Sequence, residues 1–362
     1  MDFVEVSGSM FELGFQHGEK LKSRIDYYID WFLTWYRTKA NMQKDQVLRE
    51  TRKYASYIEQ YSSEISEELR GIAEGAGKKL DEILFLNLCT VYVDQLSAHY
   101  DSGARACTSF AATGQASIKG LTYIGQTDDA SLDCWGEANY ALLLHKKPSK
   151  GPEILTYTSP GVPGVVGLNS EGIAVCLNAL ISEETRVGVP TFPILSYEVL
   201  RRKTVLDGIE AIATAKRANS GNFLIADKHG EVYDVEVTPS AWDSFYVEDY
   251  MAHSNHFLSK KLPIKEDRIL MKSVNTITRY NRMNKLLRQN FGQIDDGKMK
   301  TFATDHINFP NSVCRHIDNT VPQDKKNQTY NAVIFSPSTL EMWFACGHPC
   351  ENQFQEYRLT LN

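Results

Sequence analysis

YDSGARACTSF, residues 100–110, is the joint on which the fold turns. Before it, apolar residues recur with a helical period. After it, they fall into short β-branched runs cut by Gly and Pro. From Asp101 to Ala106 the residues are small or polar apart from Arg105, as in an exposed segment open to cleavage. Cys107 then opens the first strand-like run, next to small residues and near the cation of Arg105, a setting that depresses a thiol pKa and makes a nucleophile. A free cysteine is more often an inert, buried thiol, so the local pattern alone leaves both readings open. Ser109, two residues on, would share a strand face with Cys107 and reach its thiol or amine.

Upstream of the joint, Leu21, Ile25, Tyr28, Ile29, Phe32 and Tyr36 mark one face of a helix. Ile65, Leu69, Ile72 and Ala76 repeat the signal in a second helix opened at Ser63 by a serine cap and acids in the first turn. Downstream, the spacing predicts strands at Thr122–Gly125, Tyr140–His145, Ile154–Thr158, Gly172–Leu177, Asn222–Ala226, Val232–Val237, Ala332–Phe335 and Glu341–Ala345. Helical patterns at Pro193–Arg217 and Asp267–Gln289 place helices outside those sheets.

The chain has 362 residues, 42% hydrophobic and 23% charged, which excludes a disordered, collagenous or coiled-coil protein. A net charge of −6 excludes a chain built to neutralise phosphate backbones, so no nucleic acid partner is expected. No stretch reaches the roughly 18 apolar residues of a membrane span. The start, MDFVEVSGSM, lacks a basic n-region, and seven scattered cysteines suit a reducing compartment, so the expected location is the cytoplasm.

Further segments line up along the chain: GSMFELGFQHG (8–18), EELRGIAEGAG (67–77), DEILFLN (81–87), CTSF (107–110), YIGQTDD (123–129), GLNSEGIAVCLNAL (167–180), HSNHF (253–257), SVCRH (312–316) and GHP (347–349). In order and spacing they resemble the acyl-coenzyme A:isopenicillin N acyltransferase-like family of self-cleaving N-terminal nucleophile (Ntn) hydrolases. The resemblance implies an α+β fold of four αββα layers, two stacked antiparallel sheets between helical layers, with an N-terminal helical segment. It also implies a cut between Ala106 and Cys107, giving a helical pro-segment, residues 1–106, and a catalytic core, residues 107–362, that remain together as an α/β heterodimer, with higher homo-oligomers open.

In that reading Cys107 attacks an acyl carbonyl, and its freed α-amine, with an unperturbed pKa of about 7.7–8.0, is the general base. The resemblance assigns Asp129 to orient the amine, the choice between Asp128 and Asp129 resting on register, and Asn178 and Asn255 to hold the oxyanion. A family arginine has no counterpart at Lys325 and Lys326; Arg315 or Lys326 takes its place in substrate binding. Ala106 stands where relatives commonly have Gly, which implies slower processing. The expected substrate is a small N-acyl amino acid or amine, with a coenzyme A thioester as a further acyl donor and no cofactor. Whether water or a second amine resolves the acyl-enzyme is open.

Two rival readings stand beside this one. Cys314, His316, Cys346, His348 and Cys350 offer ligands for a zinc-stabilised, non-catalytic binding protein, but their C-x-H and C-x-H-x-C spacings are not those of zinc ribbons, and no metal is expected. A papain-like protease would pair Cys107 with His253 or His256, without the sequence signature around such a cysteine.

Overall fold

A computed structural model of the chain describes residues 1–99, 105–135, 141–264 and 274–360. Residues 100–104 of the joint, Tyr140 and the start of the predicted helix at Asp267 lie outside the described residues, as does the side chain of Arg105. The N-terminal part is helical as expected: α1 (Met10–Lys20), α2 (Lys22–Ala40), α3 (Lys44–Tyr61), α4 (Ser63–Ala76) and α5 (Leu80–His99). Every residue of the predicted α2 face is buried. The cap of α4 is Ser62 and not Ser63: its hydroxyl accepts from the Ile65 amide at 3.3 Å.

The two glycine-rich segments at residues 8–18 and 67–77 meet each other. A Cβ on Gly14 would lie 2.0 Å from the Glu68 carbonyl oxygen, and one on Gly71 2.1 Å from that of Phe11. Gly18 and Gly75 repeat this contact one turn along, so α1 and α4 cross backbone to backbone.

The helical segment also supplies a strand that the sequence reading missed. β1 (Asp2–Gly8) alternates inward and outward residues at period two and pairs in parallel with β4 (Leu142–Pro148). The remaining strands are β2 (Arg105–Ala112), β3 (Tyr123–Ser131), β5 (Ile154–Thr158), β6 (Val166–Asn169), β7 (Ala174–Asn178), β8 (Gly221–Ala226), β9 (Val232–Val237), β10 (Trp242–Tyr246), β11 (Tyr250–His253), β12 (Asn327–Ser336), β13 (Glu341–Cys346) and β14 (Gln355–Arg358). Among the described residues they form an eight-stranded sheet ordered β1-β4-β5-β6-β7-β8-β9-β10 and a six-stranded sheet ordered β11-β2-β3-β12-β13-β14. Apart from β1 with β4, the pairings are antiparallel. The sheets are antiparallel as expected, with β1 added in parallel at one edge.

The predicted helix Pro193–Arg217 is two short helices, α6 (Ser196–Leu200) and α7 (Val205–Thr214). α8 (Val274–Gln289) and α9 (Asp296–Ala303) cover the outer face of the six-stranded sheet, where Phe110, Ala332 and Ile334 pack with Met283, Leu287 and Phe302. The molecule is therefore α+β, with the two sheets between helical layers.

Candidate active site

β2 and β3 pair so that Cys107 stands opposite Asp128, Ser109 opposite Gln126 and Ala106 opposite Asp129. Side chains alternate along strands, so Cys107, Ser109, Gln126 and Asp128 share one face. That face meets the other sheet: the Ser109 hydroxyl donates to Asn178 Oδ1, and the Leu177 amide donates to Gln126 Oε1 at 2.6 Å. Thr108, Phe110 and Asp129 lie on the opposite face, toward α8.

The Cys107 thiol contacts Asp128 Oδ1 at 3.7 Å, a sulfur hydrogen bond. The other oxygen of Asp128 accepts from the Tyr157 hydroxyl at 3.0 Å, which itself accepts from Asn331 Nδ2 at 2.7 Å. The backbone of Cys107 is held as closely as its side chain. β11 ends at His253, opposite Ser109, two residues short of Cys107. Side chains replace the missing strand: the Cys107 amide donates to Asn255 Oδ1 at 2.9 Å, and Arg279 Nη1 donates to the Cys107 carbonyl at 2.6 Å. Arg279 also donates to Thr108 Oγ1 at 2.7 Å and Asn255 Oδ1 at 2.8 Å.

A cavity opens over the thiol. Cys107, Gln126 and Asp128 are among its polar lining residues, and Tyr28, Phe32, Val166 and Phe192 among its largely apolar ones. Tyr28 and Phe32 come from α2, so the N-terminal segment builds part of the cavity.

The structure gathers Ala106, Cys107, Ser109, Asn178 and Asn255 around one strand but changes several of their contacts. Ser109 bonds Asn178 and not the thiol. Asn178 is fully buried, and its Nδ2 has no hydrogen-bond partner among the described residues. Asn255 Nδ2 donates one of its two protons to the Ala179 carbonyl at 3.0 Å, and its oxygen holds the Cys107 nitrogen.

Asp129 faces away from the thiol. It accepts from Thr329 Oγ1 at 2.6 Å and lies 3.9 Å from Arg279. Burial raises its pKa, against the opposing pull of Arg279 and Arg315. Register thus puts Asp128, and not Asp129, beside the nucleophile. Arg315 is buried next to Asp129, its own pKa pushed down to about 10 by burial, and does not line the cavity. Lys326 lies at the surface, 3.3 Å from Asn319 Oδ1, and is not brought to the cavity either.

Neither His253 nor His256 is paired with Cys107. His253 is bonded to Glu236 Oε1 at 2.8 Å and to the Ser254 carbonyl at 2.8 Å, and His256 Nδ1 to Thr276 Oγ1 at 3.0 Å. Burial and the neighbouring His253 and Arg279 push the His256 pKa down to about 4.

Sequence reasoning missed Arg279, Tyr157 and Asn331. For Arg279 a signal existed: Thr276, Arg279, Met283 and Leu287 follow the buried stripe of α8, where an arginine is out of place unless it is paired.

Among proteins similar to this one, a 40 kDa form of acyl-coenzyme A:6-aminopenicillanic-acid-acyltransferase from Emericella nidulans is 26% identical, over 86% of this chain and 84% of its own. An uncharacterised protein of Archaeoglobus fulgidus is 24% identical over 95% of this chain, which spans 63% of that relative's length. Among solved structures, a mutant conjugated bile acid hydrolase from Clostridium perfringens overlaps 71% of this chain and 98% of its own, with 13% identity and a TM-score of 0.45. Penicillin V acylase from Agrobacterium tumefaciens overlaps 66% of this chain and 83% of its own, with 11% identity and a TM-score of 0.46. The family model of acyl-coenzyme A:6-aminopenicillanic acid acyl-transferase matches residues 119–351, well over half of the sequence, and the chain belongs to that family.

Proposed function

We propose that the protein is a self-processing amide hydrolase or acyltransferase in which Cys107 is the nucleophile. The observation that carries this reading is the grip on the Cys107 backbone, with Asn255 on its nitrogen and Arg279 on its carbonyl, beside a cavity that Cys107 helps to line. An inert core thiol needs neither.

In self-processing, Cys107 Sγ attacks the Ala106 carbonyl carbon and the thiol proton passes to Asp128. Collapse of the tetrahedral intermediate breaks the Ala106–Cys107 carbon–nitrogen bond, and the nitrogen leaves as an amine on taking up a proton. Water then hydrolyses the thioester, freeing the thiol and the Ala106 carboxylate. The new α-amine stays against Asn255 Oδ1 and acts as general base in turnover, with an unperturbed pKa of about 7.7–8.0. Asn178 lies between Leu177 and Ala179, which line the cavity, and its buried, unpartnered Nδ2 is the donor for the substrate oxyanion. The amine-orienting role expected of Asp129 thus falls to Asn255 in this reading, Asp128 takes the thiol proton, and the oxyanion role stays with Asn178.

The cavity suits an apolar acyl group in amide linkage to a small amine or amino acid, or in thioester linkage to coenzyme A. Residues 1–106 and 107–362 stay associated after the cut, because β1 and α2 belong to the sheet and the cavity of the core. Intact mass spectrometry of active protein should find fragments 1–106 and 107–362, and Cys107→Ala should abolish both cleavage and turnover of N-acyl substrates. A single full-length mass in active protein would sink the mechanism.

A further inference from the structure

The ligand spacings that argued against zinc omit a residue that only the fold brings in. His306, Cys314, His316 and Cys350 place one ligand atom each within 4.8 Å of one another. His306 lies outside the C-terminal cluster visible in the sequence, while Cys346 and His348 drop out of this set. We propose that these four residues bind one zinc ion in a closed, structural site.

The separations support it. Zinc holds thiolates at about 2.3 Å and imidazole nitrogens at about 2.0–2.1 Å, so a tetrahedral site spaces two sulfurs by about 3.8 Å, sulfur and nitrogen by about 3.6 Å and two nitrogens by about 3.3 Å. Here the two sulfurs are 3.6 Å apart. His316 Nε2 lies 3.8 Å from Cys314 Sγ and 3.4 Å from Cys350 Sγ. His306 Nε2 and His316 Nε2 lie 3.2 Å apart. A sulfur pair at 3.6 Å is far outside the roughly 2.05 Å of a disulfide.

The donors match as well. Two thiolates and two imidazoles select zinc over the oxygen-seeking cations. Each imidazole offers Nε2, and the far nitrogen of His316, Nδ1, faces Glu351 at 4.0 Å while the His348 ring stacks on His316 with centroids 4.1 Å apart. At that distance Glu351 is an ionic neighbour of His316, and its other oxygen bonds His348 Nδ1 at 3.2 Å. Cys314 is buried and Cys350 and His306 reach the surface, which gives an ion a way in.

The metal would tie the turn-rich segment after α9 to the turn after β13, a region with little regular structure of its own. Cys314 is followed by Arg315, whose charge bears on Asp129 and through it on Arg279. Zinc would steady the outer support of the nucleophile without touching substrate. Binding releases the protons of both thiols to solvent, so occupancy rises with pH.

The test uses the full chain carrying Cys107→Ala, which removes the proposed nucleophile as a ligand and separates this result from the processing chemistry. Purified under reducing conditions, equilibrated with zinc and desalted, it should hold about one zinc per chain by elemental mass spectrometry. Cobalt in place of zinc should give the absorption of a tetrahedral thiolate site. Cys350→Ser and His306→Ala, both at surface positions, should each weaken zinc by more than the roughly 100-fold that loss of an outer partner costs. Cys346→Ser should keep full occupancy. Metal-free protein after this treatment, undiminished zinc in Cys350→Ser and His306→Ala, or a Cys314–Cys350 disulfide in freshly purified protein would each overturn the proposal.

Discussion

Arg279 and Lys146 are both buried cations, and they are used in opposite ways. Lys146 on β4 gives its three protons to the Glu68 carboxylate, the Pro163 carbonyl at 2.8 Å and the Tyr197 hydroxyl at 2.7 Å. Tyr197 closes the ring by donating to Glu68 Oε2 at 2.7 Å. That network joins α4 of the N-terminal segment to the eight-stranded sheet and α6. Arg279 keeps its carboxylate, Asp129, at 3.9 Å and turns its donors to the backbone and neighbours of Cys107. A buried cation in contact with its counter-ion fastens two parts of the fold. One whose donors surround a reactive residue sets that residue's position.

The first way to break this contrast is at the clamp. Glu68→Gln leaves Lys146 buried without a counter-charge and should cost about 3–5 kcal/mol in urea unfolding. The double variant Glu68→Leu, Lys146→Met, which removes both charges, should recover most of that loss. If Glu68→Gln unfolds like the parent but fails in turnover, the network is no mere fastening and the contrast collapses.

At the nucleophile the expected effect is on rate. Arg279→Lys keeps a cation opposite Asp129 but lacks the planar fork that reaches the Cys107 carbonyl, Thr108 and Asn255 together. A nucleophile displaced by about 1 Å costs on the order of 100-fold in kcat, with KM little changed and the urea midpoint moving less than for Glu68→Gln. A loss confined to stability would make Arg279 a second clamp.

Much of this was legible in the sequence, and what was not has a physical cause. Period-two and period-3.6 patterns located most strands and the helical N-terminal segment because one face of each is buried. β10 and β14 escaped because their residues are mainly exposed or half-buried, which leaves no alternation to find. Cys107, Asn178 and Asn255 could be named from their segments, but which of Asp128 and Asp129 faces the thiol depends on strand register. A slip of one residue sends each side chain to the opposite face, and no local signal in YIGQTDD fixes it. The zinc ligands were hidden for a related reason: His306 meets Cys350 only through the fold, so spacing along the chain underestimated the set.

A smaller effect tests whether the clamp's charge reaches beyond its own contacts. His17 on α1 is buried, and its Nε2 accepts from the Gly161 amide at 2.9 Å, a second polar tie between the N-terminal segment and the core. Burial, with the positive charge of Lys146 adding to it, pushes its pKa down to about 3. A protonated imidazole could no longer accept that bond. The folded pKa lies below the unfolded value of about 6.5, so the unfolded chain binds the proton first as pH falls. The stability His17 contributes is therefore complete above pH 6.5 and is lost progressively below it. From pH 7 to pH 5 the loss should be about 2 kcal/mol by urea unfolding. His17→Gln keeps an acceptor for Gly161 and cannot titrate, so its stability should fall by about 2 kcal/mol less over the same interval. An equal pH slope in the two proteins would move the acid sensitivity elsewhere and leave the Lys146 network as the principal tie between the N-terminal segment and the core.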